Sequence, residues 1–243
     1  MSHCSTAELR TLIRRSASVV VLTGAGISAA SGLPTFRAPQ DGLWSQYRPE
    51  ELATPEAFSR DPELVWRWYR WRRELAGDAM PNAAHEALSR WERQCADFHL
   101  VTQNVDGLHE RAGSRSLLEL HGNIFRDRCS REKKVLECVV EDERGLPHCP
   151  DCRALARPDV VWFGESLNQD ILELALAVSK ACDLLLSVGT SGVVFPAAAL
   201  PGYAQERGAR LVEINTEDTA LTAHADYSLR GPAAQLLPEL LED

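Results

Sequence analysis

The sequence lacks the features that would tie the protein to a membrane or to nucleic acid. It contains no run of about 18 apolar residues, the length that crosses a bilayer. Residues 1–5 do not show the basic and then apolar pattern of a signal peptide. Basic residues are also outnumbered, 26 against 35 acidic ones, which gives a net charge of −9. We therefore expect a cytoplasmic protein that binds neither nucleic acid nor anionic membranes.

A complete zinc-binding motif is missing as well. Zinc ribbons use two Cys-x-x-Cys pairs, because each pair points two thiolates at one tetrahedral Zn²⁺. Here one pair is complete, Cys149 and Cys152, while the other is Cys129-Ser-Arg-Glu132. Glu132 could supply a carboxylate oxygen, Cys138 could reach the site, or the module could bind zinc weakly or not at all. The predicted ligands are Cys129, Cys149 and Cys152, with the fourth left open.

Apolar runs typical of buried strands recur along the chain. They cover residues 19–22, 98–102, 160–163, 184–188 and 211–214. Helical patterns separate them. One begins at a Ser5-x-x-Glu8 capping box, one covers 81–93 with Pro81 in its first turn, and one covers 171–180 with Ile171, Leu174 and Val178 on its buried face. This alternation predicts an α/β fold with a doubly wound parallel sheet.

Two stretches interrupt this alternation. Residues 38–80 are rich in tryptophan and arginine and predict a helical insert, whereas 126–157 carry four of the seven cysteines and predict a small module similar to a zinc ribbon. The remaining ranges, 1–37, 81–125 and 158–243, would form a large Rossmann-like part. Because 44% of the residues are hydrophobic, the 243-residue chain can build a sizeable core.

A glycine-rich loop follows the first predicted strand. Glycines at positions 24 and 26 allow a sharp turn and a close approach to a ligand, which is how a dinucleotide phosphate is bound. The usual dinucleotide fingerprint also has an acidic residue about 20 positions on, which binds a ribose. Residues 42–45 read Gly-Leu-Trp-Ser and contain no acid. An oxidoreductase that transfers a hydride is therefore a poor fit.

A second polar segment follows the strand predicted at 98–102. Gln103, Asn104 and Asp106 come just after its carboxyl end, where open α/β sheets bind ligands. Amide and carboxylate side chains at that edge suit a ribose and a carboxamide. The two segments together predict a nucleotide site at one edge of the sheet.

These segments resemble those of the sirtuins, the NAD-dependent protein deacylases. The similar blocks are GAG-x-S-x-x-SG-x-P-x-FR at 24–37, TQN-x-D-x-LH at 102–109, HG at 121–122, VWFGE at 161–165, GTS at 189–191 and EIN at 213–215. The resemblance as a whole spans roughly residues 18–237. The resemblance implies an enzyme that removes acyl groups from lysine and releases nicotinamide and O-acyl-ADP-ribose. It also implies that the zinc site is structural and remote from the chemistry.

The resemblance assigns roles to individual residues. The NAD pocket and its loop would be formed by Gly24, Ala25, Gly26, Phe36 and Arg37, the nicotinamide and its ribose would contact Gln103, Asn104 and Asp106, and the adenosine half would contact Gly189, Thr190, Ser191, Asn215, Glu217 and Ala233. His121 would be the general base that takes a proton from a ribose hydroxyl. Imidazole suits that task because its unperturbed pKa lies near 6.5.

The expected partners are proteins that carry acylated lysines. Tyr69 and Arg72 are three residues apart, so on a helix they share a face, and a guanidinium with a phenol can bind a carboxylate. This pair resembles the signature of the sirtuin class that removes succinyl and malonyl groups, and Ala53 resembles the small residue that makes room for them. Residues 162–165, namely Trp162, Phe163, Gly164 and Glu165, would bind the substrate peptide as an added strand.

Other functions share parts of this pattern. A general deacetylase or an ADP-ribosyltransferase would use the same NAD pocket. A zinc-ribbon module that only senses NAD would not need His121. The presence of His121, Asn104 and Asp106 argues against such a sensor.

Overall fold

The computed structural model describes residues 6–34, 45 and 47–241. Phe36 and Arg37, which we predicted at the NAD loop, lie outside the described residues, and so does Ser5 of the predicted capping box. None of the described helices combines the length and the apolar character that a bilayer crossing requires.

The described residues form helices and strands in alternation. The strands are β1 (Ser18–Thr23), β2 (Asp97–Thr102), β3 (Leu117–Glu119), β4 (Gly122–Cys129), β5 (Val135–Leu136), β6 (Val140–Glu141), β7 (Pro147–His148), β8 (Ala156–Val160), β9 (Leu184–Val188), β10 (Arg210–Asn215) and β11 (Tyr227–Arg230). The α-helices are α1 (Thr6–Arg15), α2 (Pro49–Leu52), α3 (Pro55–Arg60), α4 (Pro62–Asp78), α5 (Ala83–Glu92), α6 (Leu108–Arg111), α7 (Gln169–Ala181), α8 (Leu200–Glu206) and α9 (Ala233–Leu241). Short 3-10 helices cover Ala25–Ser31 and Ala197–Ala199.

Six of the strands form one parallel sheet in the order β11-β10-β9-β1-β2-β3. In its centre Val21 of β1 pairs with Leu100 of β2 on one side and Leu186 of β9 on the other. The chain builds outward from β1 in both directions, so the strand order reverses between β1 and β9. Ligands of open α/β sheets bind at such a reversal, outside the carboxyl ends of the strands.

Helices cover both faces of this sheet. Val21 packs in a core cluster with Leu88 of α5 and Leu237 of α9, while Leu22 packs in a second cluster with Leu200 of α8. Neighbouring residues of a strand point to opposite faces, so a strand buried on both sides reads as an unbroken apolar run. The predicted doubly wound parallel sheet is confirmed.

The strand predicted at 160–163 is wrong. The strand here is β8, which ends at Val160 and pairs antiparallel with β4 in a separate three-stranded sheet of order β5-β4-β8. The chain turns at residues 162–165 because the amide of Glu165 donates to the carbonyl of Trp162 at 3.0 Å. The Glu165 carboxylate in turn accepts the amide of Trp162 at 2.9 Å. Apolar side chains follow β8, but their backbone forms a turn.

Two details of the predicted helices are also wrong. Pro81 precedes α5, because the side chain of Asn82 caps the helix by accepting the amide of Ala84 at 3.0 Å. On α7 Leu174 is 48% exposed, and the buried residues are Ala175 and Ser179. Small side chains let α7 approach its neighbours closely, which the spacing of larger apolar residues does not show.

Two strands of the sheet were not predicted. These are β3, with the sequence Leu-Leu-Glu, and β11, with the sequence Tyr-Ser-Leu-Arg. Both are short, lie at opposite edges of the sheet and are only half-buried or exposed along their length. An edge strand needs no long apolar run, because it is covered less completely than a central one.

The insert contains α2, α3 and α4, and α4 fastens it to the three-stranded sheet. Trp66 of α4 is fully buried and donates its Nε1–H to the carbonyl of Ala156 at 3.0 Å. Arg73 donates to the carbonyl of Ile124 at 2.6 Å and pairs with Asp127 at 2.6 Å. The tryptophans of this segment therefore fill a core, and its arginines bind the adjacent module rather than solvent alone.

A candidate active site at the carboxyl edge of the sheet

Two loops meet at the strand-order reversal. The amide of Gly24 donates to the carbonyl of Val188 at 3.1 Å, and the amide of Gly26 donates to that of Gly189 at 3.0 Å. A Cβ built on Gly26 would lie 2.7 Å from the Cα of Gly189, and one on Gly189 would lie 2.5 Å from the nitrogen of Ile27. The sequence suggested that a ligand requires these glycines. The structure shows that these positions must be glycine even without a ligand, because a Cβ at either one would clash with the neighbouring backbone.

The loop continues into a 3-10 helix, Ala25–Ser31, whose first residues suit a phosphate. The amide of Ala25 donates to no other group within the described part of the chain, so it can bind an anionic oxygen. The helix ends at Gly32 with φ of +84°, a conformation that glycine adopts without strain. An amide in this position would suit the pyrophosphate that the sequence predicts here.

Ser28 connects the glycine loop to the second polar segment. Its hydroxyl donates to Oδ2 of Asp106 at 2.7 Å and accepts from Nδ2 of Asn104 at 3.1 Å. The same Asn104 amide lies 3.1 Å from the carbonyl of Gly24. Sequence reasoning gave Ser28 no role, although it lies inside the glycine motif. The structure thus brings Asn104 and Asp106 to the glycine loop, as their predicted roles require.

Below this network lie two buried histidines that the sequence did not single out. His109 Nε2 is 2.9 Å from the hydroxyl of Thr23, which donates to the hydroxyl of Thr102 at 2.8 Å. The ring of His85 packs against that of His109 at an angle of 59°, with ring centres 4.8 Å apart. Burial lowers the pKa of His85 to about 4 and that of His109 well below its usual value, so both rings are neutral. The two rings therefore add no charge to the site.

His121 lies between β3 and β4 and is oriented by the backbone. Its Nδ1 is 2.9 Å from the carbonyl of Gln103, and since a carbonyl only accepts, Nδ1 must hold the proton. Nε2 is then unprotonated and able to act as a base. Burial lowers the pKa of His121, although the bond to Gln103 opposes that shift in part. The ring is therefore neutral at pH 7.

The residues predicted to contact the adenosine half of NAD differ in their burial and hydrogen bonds. Nδ2 of Asn215 donates to the carbonyl of Thr190 at 2.7 Å, which joins the ends of β9 and β10. Ser191 is half-buried and Glu217 is exposed. Ala233 is only 7% exposed, because its methyl group packs in the core below α9. Gly189, Thr190 and Asn215 thus line one edge of the crevice, while Glu217 stands further out.

A buried carboxylate that the sequence analysis missed supports this edge. Glu213 is 1% exposed, and it accepts hydrogen bonds from Thr222 at 2.8 Å and Ser228 at 2.9 Å. It also pairs with Arg230 at 3.1 Å. Burial alone would raise the pKa of Glu213, but its hydrogen bonds outweigh burial and lower it. The ionised group ties the loop after β10 to β11.

The predicted acyl-binding residues lie together in the core of the insert. Trp162 donates its Nε1–H to the hydroxyl of Tyr69 at 2.8 Å, and both side chains are buried. Ala53 is 4% exposed and belongs to the same cluster. The guanidinium carbon of Arg72 lies 4.9 Å from the ring centre of Trp68 and 5.8 Å from that of Tyr69.

Arg72 also connects the insert to the nucleotide side of the site. Burial lowers the pKa of Arg72, while interactions with Tyr69 and Asp106 raise it. An arginine stays protonated after such shifts, since its ordinary pKa exceeds about 12. Arg72 therefore carries a permanent positive charge that interacts with both Tyr69 and Asp106.

The segment predicted to bind the substrate backbone has few free amides. The amide of Phe163 donates to the carbonyl of Ala53 at 2.9 Å, and those of Trp162 and Glu165 bond within the turn. Gly164, with φ of +84°, has an amide for which we find no partner in the described ranges. The amides of Trp162, Phe163 and Glu165 are therefore not available to an added strand in this conformation. Gly164 is the position whose amide can pair with a peptide.

Four metal-binding groups converge in the small module. One ligand atom each from Cys129, Glu132, Cys149 and Cys152 lies within 4.8 Å of all the others. Three thiols and one carboxylate are a donor set that suits tetrahedral Zn²⁺. Cys138 is exposed and, within the described residues, stands outside this group. These four residues would hold a structural zinc ion, with Glu132 in the place of the fourth cysteine.

We predict close to one zinc ion per chain in the purified protein. Cys149→Ser should lose the metal and lower the melting temperature, because metal-binding energy in such a module is folding energy. Glu132→Gln should weaken zinc retention against a chelator. Cys138→Ser is the matched control and should change neither quantity. The assignment would be contradicted by a protein whose melting temperature does not change when it lacks zinc, or by loss of zinc in Cys138→Ser.

Comparison with known proteins agrees with this geometry. The sequence pattern of the Sir2 family matches residues 24–196. The chain is 53% identical over 232 residues to NAD-dependent protein deacylase 2 of Pyrobaculum aerophilum, which covers 96% of this chain and 93% of that relative. A crystal structure of a Sir2 homolog–NAD complex superposes with a TM-score of 0.91 at 48% identity, over 99% of this chain and 93% of that one. A structure of Sir2 bound to an acetylated peptide gives 0.87 at 32% identity, over 98% of each chain.

The match extends over most of the chain and includes the glycine loop, the second polar segment and His121. Sequence, fold and site geometry agree. This protein belongs to the Sir2 family and is an NAD-dependent protein deacylase.

Proposed function

We propose that this deacylase acts preferentially on lysines whose acyl group ends in a carboxylate, such as succinyl-lysine and malonyl-lysine. The observation that carries the proposal is the pairing of a buried phenol, Tyr69, with a guanidinium, Arg72, next to Ala53. A guanidinium binds a carboxylate through two parallel hydrogen bonds, and a phenol can add a third. An acetyl group has no negatively charged oxygen that could accept these hydrogen bonds.

The hydrogen bond from Trp162 determines the hydrogen-bonding role that remains for the Tyr69 hydroxyl. An indole N–H only donates, so the Tyr69 oxygen is the acceptor in that bond and its own proton remains to be donated elsewhere. Burial raises the pKa of Tyr69, although Arg72 and Trp162 oppose that shift. The phenol therefore stays neutral and keeps the proton. A substrate carboxylate is a suitable acceptor for it.

Arg72 supplies the charge. Its guanidinium lies over the rings of Trp68 and Tyr69, within the range of a cation–π interaction. In this half-buried setting a charge-assisted bond is stronger than it is in water. The small side chain of Ala53 leaves space for an acyl chain longer than acetyl.

In the proposed reaction each residue has a distinct role. When bound, NAD supplies an electrophilic sugar carbon and the hydroxyl that accepts the acyl group. His121 takes the proton of that hydroxyl at Nε2, while Nδ1 stays bonded to Gln103. Asn104 and Asp106 orient the sugar at the carboxyl edge of the sheet. Arg72 and Tyr69 hold the far end of the acyl chain.

The substrate is a protein segment that carries the acylated lysine. Gly164 offers its backbone amide to that segment, and the side chain of Phe163 beside it is 45% exposed. Pairing through the main chain reads little of the substrate sequence, so one site can accept many proteins. The relative bound to an acetylated peptide supports this kind of substrate.

Arg72→Met tests acyl selectivity. Hydrogen bonds to charged groups are worth roughly 1.5 to 3 kcal/mol, so desuccinylation should fall by about one to two decades while deacetylation stays nearly constant. Tyr69→Phe should act in the same direction but less, since it removes one hydroxyl. The measurement is the ratio of kcat/KM for succinyl and acetyl forms of one peptide.

Arg67→Met is the matched control, because Arg67 is on the same helix but exposed. It should leave the ratio unchanged. If Arg72→Met also leaves the succinyl-to-acetyl ratio unchanged, the enzyme is a general deacetylase. Transfer of ADP-ribose to protein in place of deacylation would identify an ADP-ribosyltransferase.

His121 should set both the rate and its pH dependence. His121→Ala should lose about two to four decades of turnover, the usual scale of general acid–base catalysis. The neutral ring is the active form, and burial lowers its pKa, so kcat/KM should fall only below the ordinary histidine pKa of about 6.5. An acid limb centred above pH 7, or turnover within tenfold of wild type in His121→Ala, would refute the role.

A further inference from the structure

We propose that Trp162 is a positioning residue for acyl selectivity, which it exerts by holding the Tyr69 hydroxyl in the orientation that donates to an acyl carboxylate. This inference rests on the proposed preference for acidic acyl groups. It assigns to the Trp162 side chain a role distinct from the backbone contact with substrate that the sequence suggested.

The bond between the two side chains is shielded from water. Trp162 is 2% exposed and Tyr69 is fully buried, and Nε1 lies 2.8 Å from the phenol oxygen. The ring of Phe58 packs 5.2 Å from that of Trp162. Because no solvent replaces this donor, the phenol oxygen keeps one fixed partner. Its proton is then directed away from Trp162.

An ion pair between buried Arg157 and half-buried Glu165 holds the indole in place. The guanidinium carbon of Arg157 lies 3.3 Å from the ring centre of Trp162, and the Arg157 side chain is 3% exposed. Arg157 donates twice to Glu165, at 2.6 and 2.9 Å. Glu165 also accepts the backbone amide of Trp162. The stack and the turn therefore fix both the ring and the backbone of Trp162.

The cation also strengthens the indole as a donor. A positive charge over the face of an aromatic ring draws electron density toward it, which makes the N–H at the ring edge more positive. Hydrogen bonds in a chain polarise one another, so a stronger Trp162 donor makes Tyr69 a stronger donor too. The chain runs from Trp162 to Tyr69 and ends at a substrate carboxylate.

Only substrates with a carboxylate complete this chain. An acetyl group presents no acceptor to Tyr69, so the loss of the indole N–H should leave deacetylation unaffected by this route. With a succinyl group, losing that donor leaves the phenol oxygen without its fixed partner and lets the hydroxyl rotate. Selectivity should then decrease through weaker binding of the acidic substrate.

The experiment is a double-mutant cycle on Trp162→Phe and Tyr69→Phe. The readout is the succinyl-to-acetyl ratio of kcat/KM for one peptide, with kcat and KM determined separately. Trp162→Phe should lower the ratio by about threefold to tenfold, the size expected for one hydrogen bond, mainly through a higher KM for the succinyl peptide. In the Tyr69→Phe background the same change should have no further effect on the ratio.

Trp66→Phe is the matched control. Trp66 is a buried tryptophan of the same cluster, but its Nε1–H donates to the carbonyl of Ala156. Its replacement should lower the melting temperature and leave the ratio unchanged. If Trp162→Phe is too unstable to assay, Arg157→Lys retains the charge that pairs with Glu165 but loses the flat stack, and should lower the ratio by about twofold to threefold.

Two results would overturn the inference. One is an equal loss of activity on both peptides in Trp162→Phe, or an unchanged ratio in Arg157→Lys where that variant is used, which would show a packing role only. The other is an effect of Trp162→Phe on the ratio that persists in the Tyr69→Phe background. A wild-type enzyme without any preference for succinyl would instead refute the proposed function, and this inference with it.

Discussion

The site depends on the close approach of two backbone loops at the centre of the sheet. Gly26 and Gly189 come so near that a Cβ on either would lie within 2.7 Å of the other loop's backbone. That approach is possible because β1 and β9 are neighbours in the sheet although 160 residues separate them in the chain. It also brings the first residues of the 3-10 helix close to Ser28 and Asp106, which are joined by a hydrogen bond.

Burial explains the chemistry of the remaining groups. It keeps His121 neutral so that Nε2 can accept a proton, and it keeps the Tyr69 phenol protonated so that it can donate one. Arg72 stays charged, because the pKa of a guanidinium is too high for burial to remove its proton. One low-dielectric environment thus yields a base, a neutral donor and a fixed cation. In the proposed function, a substrate carboxylate would bind to this cation and to the phenol.

The sequence predicted the central strands β1, β2, β9 and β10 because both faces of each are covered, which leaves an unbroken apolar run. It failed at edge strands β3 and β11 and at 160–163, where an apolar run forms a turn stabilised by the Glu165 carboxylate. Motifs predicted which polar residues contact NAD. They could not show that Trp162 donates to Tyr69 or that Glu132 joins three cysteines, because such contacts arise only when distant segments fold together.

The most direct test of the central claim is product analysis by mass spectrometry, with matched acetyl, malonyl and succinyl peptides incubated with the enzyme in the presence and absence of NAD. The account predicts that acyl groups leave lysine only when NAD is present. Nicotinamide and O-acyl-ADP-ribose should form in equal amounts, and the succinyl peptide should be consumed fastest. Release of free carboxylic acid without NAD, or consumption of NAD without loss of the acyl group, would contradict it.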